Sequence, residues 1–315
     1  MSTGGTASGT AQRRLAVLAI VVANVLGGVS YPAQKAALAG LPPATVTMLR
    51  GIVALVPLLL VAARSGTRLT WTRAEGWRVL ALGTVAYALP MWLGIVGIER
   101  STASNGSILV LLEPVTIVIL AWLWLGEHVG LLKLASIGLG LCGALCIVLE
   151  GAALDDLFAG EHFLGNALLA VHGALWGLHT PLAKPLAVRH DPYDLTLRVT
   201  LAGTLAMAPA VWLERSAWRA GPELVPALLW SAGVGLLVSF GAVAMWLWAL
   251  RHIPATSVAG FVFLQPLTGV LVGVGFMDER LSAAALLGTG LIVAGVGLDV
   301  VLTAARGRSA EQTSS

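Results

Sequence analysis

Charged side chains are scarce along this chain of 315 residues. They make up 11% of it, whereas a soluble domain carries about 25% to keep its surface solvated. The net charge of +3 is small, and the basic residues are dispersed along the chain, so no nucleic-acid partner is expected. Apolar residues supply 57% of the sequence and the mean hydropathy is +0.87. A chain of this composition needs lipid as its main solvent.

Cysteine is nearly absent as well. Cys142 and Cys146 lie four residues apart in one apolar run, which places them on one helix face. Two thiols without a neighbouring histidine or carboxylate do not form a zinc site. There is no Walker A pattern, and the one Gly-x-Gly-x-x-Gly match, at 138–143, lies inside an apolar helix rather than between a strand and a helix. We therefore expect no metal, no cofactor and no catalytic residues.

Long polar stretches are missing too, and apolar runs follow one another with short connections. A membrane-spanning helix needs about 20 mostly apolar residues. Ten such runs predict an all-α membrane protein with ten transmembrane helices, flanked by a disordered cytoplasmic tail at 1–14 and a cytoplasmic tail at 304–315. The runs are 15–34, 44–63, 77–98, 103–124, 129–149, 163–183, 194–213, 225–250, 255–276 and 281–303.

The placement of Lys and Arg orients these spans, because cytoplasmic connections carry an excess of both. With the N-terminus in the cytoplasm, ten basic residues lie on the cytoplasmic side and five on the other. Both termini are then cytoplasmic. The Ala, Gly, Leu and Arg bias suggests a bacterial source, so we expect a multi-pass protein of a bacterial inner membrane.

The chain also repeats itself. Residues 103–149 align without a gap with 255–301, and twelve of these 47 positions are identical. The matches include a proline and a glutamate thirteen residues apart in both copies, which apolar bias alone would not align. A unit of five spans predicts two inverted five-helix repeats, 15–150 and 163–303, because the second copy enters the membrane from the opposite side. Inverted repeats are typical of secondary transporters.

The paired segments identify a family. Glu113-Pro114-Val115 with Leu125-Gly126-Glu127, and Gln265-Pro266-Leu267 with Asp278-Glu279, resemble the EamA domain of the drug/metabolite transporter superfamily. The resemblance covers nearly the whole chain. It implies a ten-span transporter in which spans one to four of each half line a central cavity and the fifth is peripheral. Such relatives export amino acids, metabolites or drugs.

Glu113 is the strongest functional candidate, because an ionisable side chain in the middle of a span is costly and usually marks a substrate or proton path. Pro114 follows it, so the helix is weakened there and the Val110 carbonyl loses its usual partner. Pro266 is expected to weaken the second copy in the same way. The counterpart of Glu113 is Gln265, which is polar but cannot titrate. A purely structural role for Glu113 stays open.

Aromatic and histidine side chains supply the other candidates. His172, Trp176 and His179 share one face of a span and are predicted to form a wall that contacts a solute with a cation or a ring. Histidines bonded to backbone carbonyls are an equal alternative. Further candidate substrate-binding residues are Asn24, Tyr31, Tyr87, Trp92 and Trp246.

Arg50, Arg198 and Lys133 lie four to seven residues inside their spans. Long basic side chains reach the lipid headgroups from such depths, so snorkelling explains them most simply. Contact with the substrate is the alternative, more so for Arg50 and Arg198 than for Lys133. Glu127 and Glu279 are expected to fix the turn into the fifth span of each half.

These features predict a secondary active exporter of a small amphipathic metabolite, such as an amino acid, an amine or an aromatic compound, working by alternating access. Its partners are a small-molecule substrate, the lipid bilayer and, for coupling, protons, and we expect a monomer or a weak homodimer. A proton-coupled multidrug exporter is the main alternative. An intramembrane enzyme or a passive channel is disfavoured, since neither catalytic motifs nor a repeated polar stripe is present.

Overall fold

Every regular element that the structure describes is helical. The structure is a computed structural model, and it describes residues 4–65, 71–101, 109–149, 160, 162–218, 221–268, 271 and 283–313. The first group of helices is α1 Gly4–Ala37, α2 Pro43–Ser65, α3 Arg73–Glu99, α4 Leu112–Leu125 and α5 Leu131–Leu149. The second group is α6 Phe163–Arg189, α7 Pro192–Ala217, α8 Leu224–His252, α9 Ala255–Thr268 and α10 Ala283–Thr313.

Six helices within the described residues, α1, α2, α3, α7, α8 and α10, are long and apolar enough to cross a membrane. Three further apolar helices, α4, α5 and α9, are shorter, and α6 has 27 residues but carries several polar side chains. An all-α membrane protein is therefore confirmed, whereas the predicted count of ten spans is not. The predicted spans 103–124, 255–276 and 281–303 fall partly outside the described residues.

The termini of the first and last helices differ from the predicted boundaries. α1 begins at Gly4, within the segment predicted as a disordered tail, and α10 continues to Thr313. Both extensions contain good helix formers such as Ala and Gln beside polar residues, so the helix has no sequence signal that stops it at the membrane edge.

The outer faces of the helices are apolar. Large side chains such as Trp122, Leu131 and Leu213 are more than half exposed, which water would penalise and lipid would not. The interior contains large buried side chains such as Phe261 and Phe263. α1 packs on α8, α3 on α6, α2 on α7, and α4 on both α6 and α9.

α5 and α10 form an antiparallel pair that also packs on α9. A Cβ atom built on Gly143 would lie 2.5 Å from the Gly288 carbonyl oxygen, and one on Gly295 would lie 2.7 Å from that of Ser136. Glycine is required at these close approaches. The pair also contains a salt bridge between Lys133 and Asp299, which are 2% and 1% exposed.

Two irregular turns shape the core helices. α3 contains a π turn at Thr84–Ala88 and α8 contains one at Gly235–Ala242. Each π turn adds a residue to the helix and rotates the part that follows, a feature frequent at functional sites. Both turns lie beside the cavity described below.

Candidate functional site

A central cavity of about 110 Å³ lies among α1, α2, α3, α4, α6, α8 and α9. Its walls are mostly apolar, with a few polar groups that converge on the space, as in a ligand-binding pocket. Of the predicted site residues, seven line it: Asn24, Glu113, His172, Trp176, His179, Trp246 and Gln265. Arg50 lines it too.

Glu113 enters the cavity from the start of α4, beside the helix break that Pro114 imposes. The Val110 carbonyl does not stay without a partner, because it accepts a hydrogen bond of 2.9 Å from the Glu113 N–H. The Glu113 side chain is 1% exposed, and neither carboxyl oxygen receives a hydrogen bond from any residue the structure describes. Burial without a partner is costly for a carboxyl group. Such a group is stabilised by gaining a proton or by meeting a cation.

Gln265 occupies the matching place in α9. Its N–H donates to the Val262 carbonyl over 2.9 Å, which repeats the geometry at Glu113. Its side-chain Nε2 donates to Asn24 Oδ1 over 3.1 Å. Asn24 in turn donates to the Ile20 carbonyl of its own helix over 2.8 Å. The Gln265 side chain therefore bonds to α1, whereas no hydrogen bond joins the Glu113 carboxyl group to another helix among the described residues.

The predicted wall on α6 is present. Trp176 and His179 stack with ring centroids 5.5 Å apart, and Tyr87 of the α3 π turn lies 5.9 Å from Trp176. His172 Nδ1 donates to the Pro90 carbonyl over 2.7 Å. Within the described residues, His179 Nε2 and the Tyr87 hydroxyl have no hydrogen-bond partner. Such buried, unsatisfied polar groups are rare in folded proteins and often belong to a binding site.

Trp246 completes the wall from α8, where its indole N–H donates to the Thr180 hydroxyl over 3.1 Å. Trp92 is placed elsewhere: its indole N–H points to Glu214 Oε1, 3.4 Å away, in a separate pocket. Among the described residues, Trp92 therefore lies outside the lining of the central cavity, and its predicted contact with substrate stays a prediction. The side chain of Tyr31 lies outside the described residues.

The snorkelling interpretation does not hold for Arg50 and Lys133, which are buried, whereas Arg198 keeps 29% of its side chain exposed near the start of α7. Arg50 is 3% exposed and faces the cavity rather than the lipid headgroups. Arg198 bonds Asp194 over 3.1 Å, and Lys133 forms the buried salt bridge with Asp299. The sequence offered substrate contact by Arg50 only as the weaker alternative to snorkelling. The available signal was the presence of another polar residue, Gln34, at the nearby end of α1.

Glu127 lies in the turn after α4 and makes a second contact that the sequence did not predict. Glu127 caps the N-terminus of α9, where its carboxylate accepts from the N–H groups of Ala255 and Thr256 over 2.7 and 2.9 Å. The same connection receives Lys184, whose Nζ donates to the Ile253 carbonyl over 2.6 Å and to that of Leu250. These contacts fasten α6 and α4 to the α8–α9 connection. Glu279 falls outside the described residues.

Two tryptophan contacts mark opposite ends of the bundle. At the Trp71 end, the Trp71 indole donates to Asp194 over 2.8 Å and its ring stacks on His190 with centroids 3.7 Å apart. His190 also contacts Glu75 over 3.0 Å. At the Trp218 end, the Trp218 indole donates to the Thr45 hydroxyl over 3.1 Å. Charged groups take part at both ends, because the Glu214 carboxylate at the Trp218 end accepts from the Ala44 N–H over 2.8 Å.

The central cavity is displaced toward the Trp218 end. On α1 it is lined between Ala23 and Gln34, and on α3 between Met91 and Ile98. Both stretches belong to the halves of these helices that end near Trp218. At the Trp71 end, two sets of contacts join the helices. One is the contacts of Lys184 and Glu127. The other, called the Trp71 cluster below, consists of Trp71, Asp194, His190 and Glu75.

Known proteins resemble this chain over most of its length. A protein of Bacillus subtilis named uncharacterized transporter YvbV is 28% identical over 292 residues, which cover 90% of each chain. A probable terminal-alkyne amino-acid exporter of Streptantibioticus cattleyicolor is 27% identical over 299 residues, covering 94% of this chain and 96% of its own. A solved structure shares the fold with a TM-score of 0.73 at 18% identity, covering 93% of this chain and 99% of that one.

The EamA-like transporter family model matches the chain twice, at residues 14–149 and 163–300. Together with the apolar helices, these matches make the chain a multi-pass membrane protein. It belongs to the EamA-like transporter family.

Proposed function

We propose that this protein is a secondary active transporter that exports a small amphipathic solute by alternating access. The observation that carries the proposal is the Glu113 carboxyl group, buried in the wall of the central cavity with no hydrogen-bond donor among the described residues. A transporter that exchanges protons for solute needs one such group. The proton stabilises it when the solute is absent, and a polar solute group stabilises it otherwise.

The proposal includes two inverted five-helix halves. Three pairs of corresponding features, one member in each half, support these inverted halves. The π turns of α3 and α8 correspond, the breaks at Pro114 and Pro266 correspond, and the Trp71–Asp194 contact has its counterpart in Trp218–Thr45 at the other end. The antiparallel α5–α10 pair also places Gly143 and Gly295, which match in the repeat, in equivalent contacts. Discontinuous helices at the junction of two such halves are a common place for transporter binding sites.

The orientation follows from the Lys and Arg count, with the N- and C-termini in the cytoplasm. The Trp71 end then faces the cytoplasm and the Trp218 end faces outward. The cavity lies in the outward half, so the described arrangement corresponds to solute release on the outer side. In this scheme the Trp71 cluster opens for loading, and the Trp218 end closes.

The solute class follows from the cavity walls, in which Trp176, His179 and Trp246 offer ring surfaces beside the polar groups. The export function named for the Streptantibioticus relative supports an amino acid as the solute. A small amphipathic molecule would place its apolar part against these rings. Its polar part would point toward Glu113 or toward the opposite end of the cavity.

Glu113→Gln tests the coupling role. In proteoliposomes with an imposed pH gradient, we expect wild-type protein to accumulate a radiolabelled amino acid from a mixed panel. We expect the variant to lose gradient-driven accumulation while it still exchanges labelled for unlabelled solute. Glu99→Gln, the same change at an exposed carboxylate of α3, serves as the control. Gradient-driven accumulation by Glu113→Gln at the wild-type level would reject the role of Glu113, and absence of any saturable flux would reject transport of these solutes.

A further inference from the structure

The surroundings of Glu113 determine which chemical group of a solute can bind there. The backbones of α4 and α6 are in contact at this level, because a Cβ atom built on Gly177 would lie 2.7 Å from the Glu113 carbonyl oxygen. Trp176 and His179, on either side of Gly177 in α6, line the cavity together with the Glu113 side chain. Their rings stack with centroids 5.5 Å apart. The carboxyl group therefore shares its part of the wall with aromatic rings.

Two ring N–H donors of this wall are already used. Trp246 donates its indole N–H to the Thr180 hydroxyl over 3.1 Å, and His172 donates from Nδ1 to the Pro90 carbonyl over 2.7 Å. Neither of them reaches Glu113, whose two carboxyl oxygens receive no hydrogen bond from a described residue. The wall therefore offers a solute two unused acceptor oxygens, and a solute group that donates hydrogen bonds satisfies them.

Within the described part of the chain, no basic side chain is paired with this carboxyl group. Arg50, which also lines the cavity, bonds to Ser239 and Gln34 over 2.8 and 2.9 Å and makes no bond to Glu113. A carboxylate in an apolar wall attracts a cation strongly, because the low dielectric constant there screens the attraction little. Aromatic rings add to this attraction when a cation lies within about 6 Å of a ring centroid. These surroundings suit a protonated amine.

Resting on the proposed export function, we propose that Glu113 and the rings of Trp176 and Trp246 bind the protonated amine of the transported solute, so that solutes without an amine are rejected. In the empty cavity the carboxyl group holds a proton. When the amine binds, that proton passes to water and a carboxylate–ammonium pair remains, so binding releases a proton. Simple amines and amino acids both meet this requirement.

Isothermal titration calorimetry on purified protein tests this assignment with two matched pairs of probes. Phenethylamine and 2-phenylethanol differ only in an ammonium against a hydroxyl group, and L-phenylalanine differs from 3-phenylpropionate by its amine. We expect wild-type protein to bind the amine of each pair at least about tenfold more tightly, which corresponds to about 1.4 kcal/mol. Repeating the titrations in buffers of different ionisation enthalpy should show proton release with phenethylamine and none with 2-phenylethanol.

Glu113→Gln should bind the amines at least about tenfold more weakly, lose the preference for them and release no proton. Its amide oxygen still accepts an N–H, so exchange continues at higher solute concentrations. Glu113→Asp keeps the carboxyl group and should retain part of the preference and the proton release. The other described titratable side chains that line the cavity, Arg50, His172 and His179, are the same in both variants. Glu99→Gln, at the exposed carboxylate, should bind and release protons like wild type.

The comparison of probes on wild-type protein needs no variant, so it tests the assignment even if Glu113→Gln fails to fold. Four results would overturn the assignment: equal binding within either pair, no binding of either amine, no proton release with phenethylamine, or an unchanged amine preference in Glu113→Gln.

Flux measurements separate this failure from failure of the transport proposal. Saturable, gradient-driven flux of 3-phenylpropionate would leave the transporter standing and remove the amine site. Amine binding with proton release but without gradient-driven flux would keep the amine site and reject secondary active transport of these solutes.

Discussion

Gly94 lies at a close approach of α3 and α6 beside the cavity. A Cβ atom there would lie 2.8 Å from His172 Nδ1, the atom that donates to the Pro90 carbonyl. Gly94→Ala must therefore displace His172. We expect it to destabilise the protein by about 1–3 kcal/mol, although alanine favours a helix by about 1 kcal/mol over glycine.

Gly76→Ala is the matched control on the same helix, because no atom lies within 4 Å of a Cβ at that position. Thermal unfolding in detergent compares the two variants directly. Gly76→Ala should melt at or above the wild-type temperature and Gly94→Ala below it. Equal melting temperatures would mean that the His172 contact is not under steric constraint.

At the level of single residues, the sequence indicated the acidic side of the site better than the basic side. No simple structural role accounts for a carboxyl group such as Glu113 in an apolar run, so its placement in the cavity could be predicted. A simple structural role does account for Arg50, because a long side chain near a helix end can reach the lipid headgroups. Which way it points depends on the rotation of α2 against α1 and α8, and that is decided by tertiary packing.

Among the helices, the α5–α10 pair offers a sharp test of glycine packing. Gly143 meets the backbone of α10 at Gly288, whereas Gly138, five residues earlier on the same helix, has no atom within 4 Å of its Cβ position. We expect Gly143→Leu to force the helices apart and to cost about 1–3 kcal/mol. Gly138→Leu should be close to neutral.

Fluorescence-detected size-exclusion chromatography after heating measures both variants in crude detergent extracts. If the Gly138→Leu variant had a melting temperature as low as that of Gly143→Leu, the loss of stability would come from adding a large side chain to α5 and not from the contact with α10.

The helix breaks at Pro114 and Pro266 were predictable, since proline lacks the N–H that a helix requires. The bond that replaces the lost one, from Glu113 N–H to Val110, keeps the break tight instead of leaving the carbonyl open. The π turns were not predictable. Their register depends on contacts with another helix, such as Gly203 of α7 against the Gly83 carbonyl and the Tyr87 ring, and no local pattern encodes such a contact.

For the whole molecule, the contacts at the Trp71 end predict how a mutation shifts the balance between conformations. The described arrangement is held at the Trp71 end by the contacts among Trp71, Asp194 and His190. Trp71→Ala should therefore shift the population away from this arrangement, roughly fivefold for each kcal/mol lost. Trp77→Ala, at a neighbouring exposed tryptophan, should leave it unchanged.

Cysteine labelling measures the shift. In a Cys142→Ser/Cys146→Ser background, Ile98→Cys in the cavity should react with a membrane-impermeant maleimide in intact cells, and Gly76→Cys only after permeabilisation. Adding Trp71→Ala should slow labelling at position 98. Labelling of position 76 in intact cells would reverse the proposed orientation, and unchanged labelling at position 98 would remove the Trp71 cluster from the closing contacts.

The salt bridge between Lys133 and Asp299 has a consequence for biosynthesis. Its partners are 166 residues apart, so Lys133 enters the membrane long before Asp299 is made. An aspartate inside the apolar segment 286–303 raises the cost of inserting it, and Lys133 offsets this cost only when α5 is already in place beside the incoming helix. The insertion of α10 is thus stabilised by the earlier helix α5. In a chain truncated before α10, Lys133 lacks its Asp299 partner, a defect that cellular quality control can recognise.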